Sequence, residues 1–486
     1  MQSMPRTQGP GNAPIDLGPE NNVVIVTHKS TREIEGEILG SPHAHHLTLK
    51  TGLPDYPGVL FKLHVCKNLK HLTIDGDTHD ALDLRFLRDC PQLDRLDIRE
   101  FEGTRIDLSP VGDFQRAIKT IDIYYCKNMK TIDLSPLSSM SDLESLHITL
   151  TELKGIDLTP LSRLSRLREL MLNTDRLPCI DLSPLAATAL TTLDLGGNDL
   201  TEVGLSPLEG QRELSRLVLG GNHLKSIDLS PLARSSLAIL YLGHNELQEV
   251  DLLPVADCPL EKVSLDGNTI VHMSFAPLSG CTTLRTLSLT GNQLADADLA
   301  PLESCSALSE LRLSYQTRLT SMHSMLETID LKPLRGCREL EELDLSGHSI
   351  RTVSLSPLAE CSRLETLKLT GNQLRSLDLS PLSSCRRLKT LSLAGNRIRA
   401  IDLKPLEGHP GIETIHLQAN RLKFLDLTPL ANCVRLKEVE AWNNPIADLT
   451  LPDFSPRATP VLLTLSVELF NSDKVRPGAN SKAAAY

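Results

Sequence analysis

The sequence predicts an α/β solenoid, in which one short supersecondary unit is stacked many times and parallel strands line one side. Three observations predict it. The hexamer IDLSPL occurs at 132–137, 180–185 and 227–232, with near copies at 156–161 (IDLTPL) and 377–382 (LDLSPL). The proline of this hexamer recurs from Pro110 to Pro429 in steps of 23 or 24 residues, apart from steps of 26 (110 to 136) and 32 (301 to 333). Aromatic residues make up only 3% of the 486-residue chain, so leucine and isoleucine must do most of the packing, as suits one kind of core layer repeated along an array.

Two degenerate copies, with Lys62 and Phe86 in the proline slot, extend the array upstream to give sixteen copies over residues 38–452. A clean copy reads LETLKLTGNQLRSLDLSPLSSCRR (364–387). Alternation at Leu367, Lys368 and Leu369 predicts a short strand with one face buried. Asn372 then turns the chain, and its amide is placed to bond the backbone of a neighbouring copy. The same asparagine recurs at 198, 222, 245, 268, 292, 396, 420 and 444. The pattern L-x-x-L-x-L-x-x-N-x-L resembles the leucine-rich repeat family, over about 85% of the chain. That resemblance implies a curved horseshoe or arc, with a parallel sheet on the concave face and short helical or 3-10 turns on the convex face. The strict D-x-S/T-P-L departs from the generic family pattern and marks a variant subclass.

The hexamer reads as a turn-and-cap module. Leu377 and Leu379 point inward, Ser380 is suited to an N-cap, and Pro381 suits the first helical position, where its missing N–H is not needed. Leu382 and Cys385 then share the inner face of about one or two helical turns. An aspartate occupies its slot in twelve of sixteen copies, from Asp83 to Asp426. Stacked carboxylates repel, so backbone N–H groups or the nearby serine hydroxyl must hold each one. A row of divalent-cation sites is disfavoured, because the Gly-Asp-rich spacing of calcium-binding repeats is missing.

Nine of the eleven cysteines share one phase, four residues after the proline slot: 66, 90, 258, 281, 305, 337, 361, 385 and 433. They read as small core hydrophobes. Cys126 falls in the asparagine slot and Cys179 is out of phase. With no C-x-x-C pair, no zinc site is expected, and no other metal or cofactor. The net charge of −11, without a basic stripe, argues against a nucleic-acid surface. No apolar run reaches 18 residues, the N-terminal stretch has no apolar signal-like core, and no Asn-x-Ser/Thr acceptor occurs. No membrane partner is expected, and a reducing, cytoplasmic setting is.

Three segments are expected: an N-terminal tail and cap (1–37), the repeat domain (38–452), and a capping strand with a disordered tail (453–486). The asparagine slot holds Asp77, Phe101, Cys126, Thr151 and Asp175 in early copies and becomes regular only from Asn198. The long step carries eight extra residues within 314–328, with Gln316 and then His348 in the asparagine slot. Such insertions emerge as loops at one edge of a solenoid.

On the expected concave face, the positions flanking the inner leucines hold five of the seven Tyr and Trp residues, where chance would place about one. These are Tyr124, Tyr125, Tyr241, Tyr315 and Trp442, residue types that anchor interfaces. Gly196, Gly197, Gly220, Gly221 and Gly243 leave three strands nearly bare, either as a shallow trough for a partner or as a favoured turn spelling. Tyr241 and His244 flank it, and toward the N-terminus stand Arg95, Asp97, Arg99 and Glu100. The expected function is a non-enzymatic scaffold that binds a partner protein on this face. One rival is regulation of an enzyme, such as GTPase activation, for which Arg312 beside Tyr315 is the single candidate arginine. A purely structural spacer is the other. No phosphate-loop, H-E-x-x-H or G-x-S-x-G motif occurs.

Overall fold

The computed structural model of the chain describes residues 22–25, 38–41, 43–50, 61–77, 79–114, 117–173, 175–315, 325–452, 461–465 and 475–476. The chain divides into two compact units, residues 1–177 with 187–189, and 178–186 with 190–486.

In the first unit the strands Asn22–Ile25, His46–Lys50, His71–Asp75, Arg95–Arg99, Thr120–Tyr124, Ser145–Thr149 and Glu169–Met171 pair in parallel, each with the next. Register is in phase with the repeat, so Leu72 lies beside Leu96, Leu96 beside Ile121 and Ile121 beside Leu146. A one-residue slip would turn this apolar file to solvent, which is why the register is fixed. In the second unit twelve strands, from Thr192–Asp194 to Leu462–Thr464, pair in the same way. Most are three residues long, against five for most strands of the first unit. These paired parallel strands and the short turns that follow them make the fold an α/β solenoid.

Each copy closes its core between the strand and a 3-10 turn. In the copy read above, Leu367, Leu369, Leu374, Leu379, Leu382, Cys385 and Leu388 are all buried. Among the described residues the turns that follow the strands are mostly 3-10 helices of three to five residues, and Ser109–Phe114 is a six-residue α-helix. The serine is not the N-cap expected of it. The 3-10 helix Ser380–Ser384 starts directly after Leu379 (φ −90°, ψ −2°), with no side-chain cap bond. Instead, Asp378 Oδ1 accepts the Ser380 N–H at 2.9 Å. The same Asx-turn forms at all twelve aspartates, with distances of 2.8–3.0 Å. Where serine replaces aspartate, Ser274 and Ser354 accept the equivalent N–H at 3.3 and 3.4 Å. Proline follows because the turn has already fixed the chain entering the helix, and its missing N–H is not needed there. Backbone donors thus hold the carboxylates of the repeated hexamer.

The asparagine slot is a rung between copies. Asn372 Nδ2 donates to Leu369 O of its own copy (3.1 Å) and to Leu345 O of the copy before (2.9 Å), while Oδ1 accepts Ile350 N–H (3.1 Å). Asn222, Asn245, Asn268, Asn292, Asn396, Asn420 and Asn444 repeat the three bonds. His348 keeps one of them, Nε2 donating to Leu313 O at 2.7 Å.

The nine in-phase cysteines are free and buried. Several thiols donate to a carbonyl of the preceding copy, for example Cys385 to Leu358 O (3.2 Å) and Cys433 to Leu406 O (3.1 Å). Gln211 and His409 take the same slot and the same role, donating to Leu185 O (2.8 Å) and Cys385 O (3.0 Å). The slot therefore selects small or flat donors as well as apolar bulk. Burial pushes the Cys361 thiol up to about 12, far from a reactive thiolate.

At the ends, Asn22–Ile25 and Leu462–Thr464 add flanking strands. Within the expected disordered tail, Val475–Arg476 pairs with Asp448–Thr450. The rest of the tail, and residues 316–324 of the insertion with Gln316, lie outside the described residues.

Candidate functional site

Strand residues that alternate with the buried leucines face outward on each sheet. In the first unit this face carries a network of charges. Asp97 is the hub. His71 Nε2 lies 3.0 Å from its Oδ2, Arg95 Nε donates to Oδ1 at 2.9 Å, and Arg99 donates to Oδ2 at 2.7 Å. Arg95 also reaches Asp122 of the next strand. Asp122 pairs with His147 (2.5 Å), which lies 3.4 Å from Glu169 one strand further on. At the other side His46 stacks on His71, with ring centroids 3.9 Å apart.

These contacts set the charge states. Burial alone would raise the Asp97 carboxyl, but His71 and Arg95 hold it far below the usual carboxylate range. Burial alone would lower His147, but Asp122 and then Glu169 raise it to about 9, so it stays charged at neutral pH. His46, desolvated and beside His71, drops to about 4.

Beside this network lies an exposed apolar pair. Tyr125 is 42% exposed and Leu150 41%. They occupy the same position of adjacent copies, just after the strand, and both are left-handed (φ 64° and 56°). Glu100 holds the position one copy earlier (φ 50°). Elsewhere the slot is mostly glycine, at 76, 197, 221, 267, 291, 347, 371 and 395. Glycine reaches φ > 0 without a steric penalty, whereas a tyrosine or leucine there costs about 1 kcal/mol or more. Lys127 Nζ lies 4.5 Å from the Tyr125 ring centroid, and Arg99 packs over Tyr124 at 5.0 Å.

In the second unit Tyr241 lies between two cations, Arg216 at 5.2 Å and Lys262 at 5.3 Å. His244 is exposed, left-handed (φ 57°), and covers Gly267, where an added Cβ would fall 2.6 Å from its Nδ1. Trp442 is 42% exposed. The bare glycines have a packing cause. A Cβ on Gly220 would sit 2.9 Å from Gly243 O, and one on Gly196 3.2 Å from Gly220 O. Gly197 and Gly221 supply the left-handed turn (φ 67° and 72°). The glycine run is therefore a turn spelling, and no trough is needed to account for it.

Two expected contact residues are not available to a partner. Asp97 has no exposed surface, because Arg95, Arg99 and His71 close over it. Tyr315 is only 9% exposed and packs toward His348, with centroids 6.5 Å apart. Arg312, the candidate catalytic arginine, is clamped by Glu310 (2.8 Å) and Glu342 (2.6 Å), and Glu342 also holds Lys368 (2.7 Å). Arg95, Arg99 and Tyr124 are half-buried in the network, while Tyr125, His244 and Trp442 are exposed. The sequence reading missed His46, His71, Asp122, His147, Glu169 and Leu150. Opposite charges one repeat apart, as in His71/Asp97 and Arg95/Asp122, were the available signal.

Comparison with known proteins follows the same line. One leucine-rich repeat family model matches residues 331–454, and a second matches 187–208 and 280–302. No curated protein sequence matches the chain. Among solved structures, a leucine-rich repeat protein of Leptospira interrogans aligns over 76% of this chain and 95% of its own, at 20% identity and TM-score 0.60. The functional domain of InlJ from Listeria monocytogenes, which includes a cysteine ladder, aligns over 86% and 75%, at 19% identity and TM-score 0.53. Toll in the Toll–Spatzle complex of Drosophila aligns over 91% and 63%, at 17% identity and TM-score 0.64. At these identities the likeness is one of fold.

Proposed function

Because the chain is a leucine-rich repeat protein, we propose that it is a non-enzymatic scaffold that holds a partner protein on the outer face of its first unit. One observation carries this reading. Tyr125 and Leu150 are large, exposed apolar side chains placed where half of the sixteen copies have glycine, at a conformational cost that their own copies do not recover by burial. Tyr124 adds a ring beside them, and Arg99 and Lys127 give the patch a cationic rim. An aromatic anchor with a charged rim is the usual anatomy of a protein interface. The Toll–Spatzle complex supports a protein as the class of partner. A reducing, cytoplasmic setting belongs to the same reading, favoured by thiols that fill core slots and donate to carbonyls.

Stability and association should move in opposite directions. The Tyr125→Gly/Leu150→Gly variant restores the repeat's own spelling, so its unfolding midpoint should hold or rise. Capture of partners from a lysate of the native source, scored by mass spectrometry, should fall at least tenfold. If capture is unchanged, the patch is not the interface and the spacer reading gains. If the variant unfolds more readily, the two side chains serve stability instead.

A further inference from the structure

The second unit carries an arrangement that the sheet-face reading does not use. Two residues after the cysteine slot, successive copies carry Glu339, Arg363, Arg387, Gly411 and Arg435. Arg363 pairs with Glu339 of the copy before. Two positions further on, Lys389 pairs with Glu365 and Lys437 with Glu413. The pattern of one cation per neighbouring carboxylate then fails. Among the described residues, Arg386, Arg387 and Arg435 have no carboxylate partner.

The copy between Arg387 and Arg435 explains the space they face. His409 replaces the cysteine and is buried. Its Nε2 donates to Cys385 O, and its Nδ1 accepts the N–H groups of Gly411 (3.3 Å) and Ile412 (3.2 Å). This draws the loop so close to the previous copy that a Cβ on Gly411 would meet Arg386 O at 2.7 Å and Leu388 O at 2.9 Å. Only glycine fits, and no side chain fills the column there. An open notch of about 330 Å³ lies there, lined by Glu365, Arg386, Arg387, Lys389, Pro410, Gly411 and Arg435. Its wall carries four cations against one carboxylate, and that carboxylate is already taken by Lys389. The local excess is three positive charges, in a chain of net charge −11.

We propose that this notch is an anion site for a phosphate monoester group. Arg387 and Arg435 stand two copies apart, ~10 Å at the backbone, so their planar forks can close on a tetrahedral dianion from both sides. Arg386 adds a third set of donors. The site is independent of the Tyr125–Leu150 patch and lies on other residues.

The test is isothermal titration of the full chain at low ionic strength with inorganic phosphate, O-phosphoserine and a phosphoserine peptide. Saturable binding at one site is expected. Arg387→Ala/Arg435→Ala should weaken it at least about tenfold, as loss of two charge-assisted forks requires. Arg387→Gln/Arg435→Gln, which keeps most of the side-chain length, should do the same with an unchanged unfolding midpoint. Arg363→Ala should leave affinity within about twofold. A peptide bound about tenfold tighter than the free anions would identify a phosphorylated partner as the source. Equal affinities would point to a free phosphate compound. The proposal is overturned by no saturable binding of any of the three probes, or by binding that the double variants retain.

Discussion

From Asn222 onward the slot that follows each strand is filled almost throughout by an asparagine with three buried hydrogen bonds, whereas in residues 71–177 it is filled by Asp77, Phe101, Cys126, Thr151 and Asp175. Four of the copies that lack the asparagine also differ in their strands. His71–Asp75, Arg95–Arg99, Thr120–Tyr124 and Ser145–Thr149 are five residues long, against three in most asparagine copies. In those four copies backbone pairing extends and charged side chains cross from strand to strand, whereas Glu169–Met171 and Glu342–Asp344, whose slots hold Asp175 and His348, stay three residues long. Two chemistries thus hold copies together in one chain, a directed amide rung and a lengthened strand braced by ion pairs. Only the first is visible as a motif.

The largest expected difference lies in the bracing. Asp97→Ala would leave Arg95, Arg99 and His71 facing one another without their shared carboxylate, at a cost of about 3–5 kcal/mol. Urea unfolding should show it, and a loss below about 1 kcal/mol would mean that the network is ornamental. Next comes the rung. Asn372→Ala strands Leu345 O and Ile350 N–H, while Leu369 O keeps the Asn396 amide, and should cost about 2–3 kcal/mol. In the same slot of the first unit, Cys126→Ala should cost about 1 kcal/mol, the value of a small buried group. Equal losses would erase the distinction between the two chemistries.

A further effect, comparable to that of Cys126→Ala, has the opposite sign. Asp175 sits in the asparagine slot with Oδ1 accepting from Thr151 N–H and Oγ1 (2.8 and 2.5 Å), but its buried Oδ2 has no partner among the described residues. Burial pushes it up to about 6 despite the two bonds from Thr151. A carboxyl raised in the folded state adds stability that is complete below its unfolded value of 3.8 and is lost as pH rises through about 6. Asp175→Asn should therefore stabilise by about 1–2 kcal/mol at pH 7. It should also flatten the stability profile between pH 4 and 6, as urea midpoints at several pH values would show.

Much of the fold was legible because the repeat states it many times. Strand phase, the asparagine rungs, the buried thiol file and the need to hold each aspartate all follow from residues recurring at fixed offsets. The N-cap reading of Ser380 failed on a local point. A 3-10 helix entered through a residue at φ −90°, ψ −2° gives its N–H to the aspartate two residues earlier. The candidate site was less legible, because single side chains that depart from a repeat show their environment only in three dimensions. Asp97 looked like a surface charge until two arginines and His71 closed over it. Tyr315 looked exposed until His348 lay against it. Leu150 looked like one more leucine, though its backbone is left-handed and its side chain is in solvent.

The asparagine rung also gives the second unit a polarity. Each amide lends its oxygen to a donor of the preceding copy, as Asn396 does for Leu374 N–H and Asn420 for Ile398 N–H. Trimming the chain back from its C-terminal side therefore strips a buried donor of its acceptor at every cut. Trimming from the N-terminal side of this unit leaves the new first copy with one side-chain amide whose oxygen and one N–H turn to water. Deletion series begun from opposite ends should lose cooperativity at different rates.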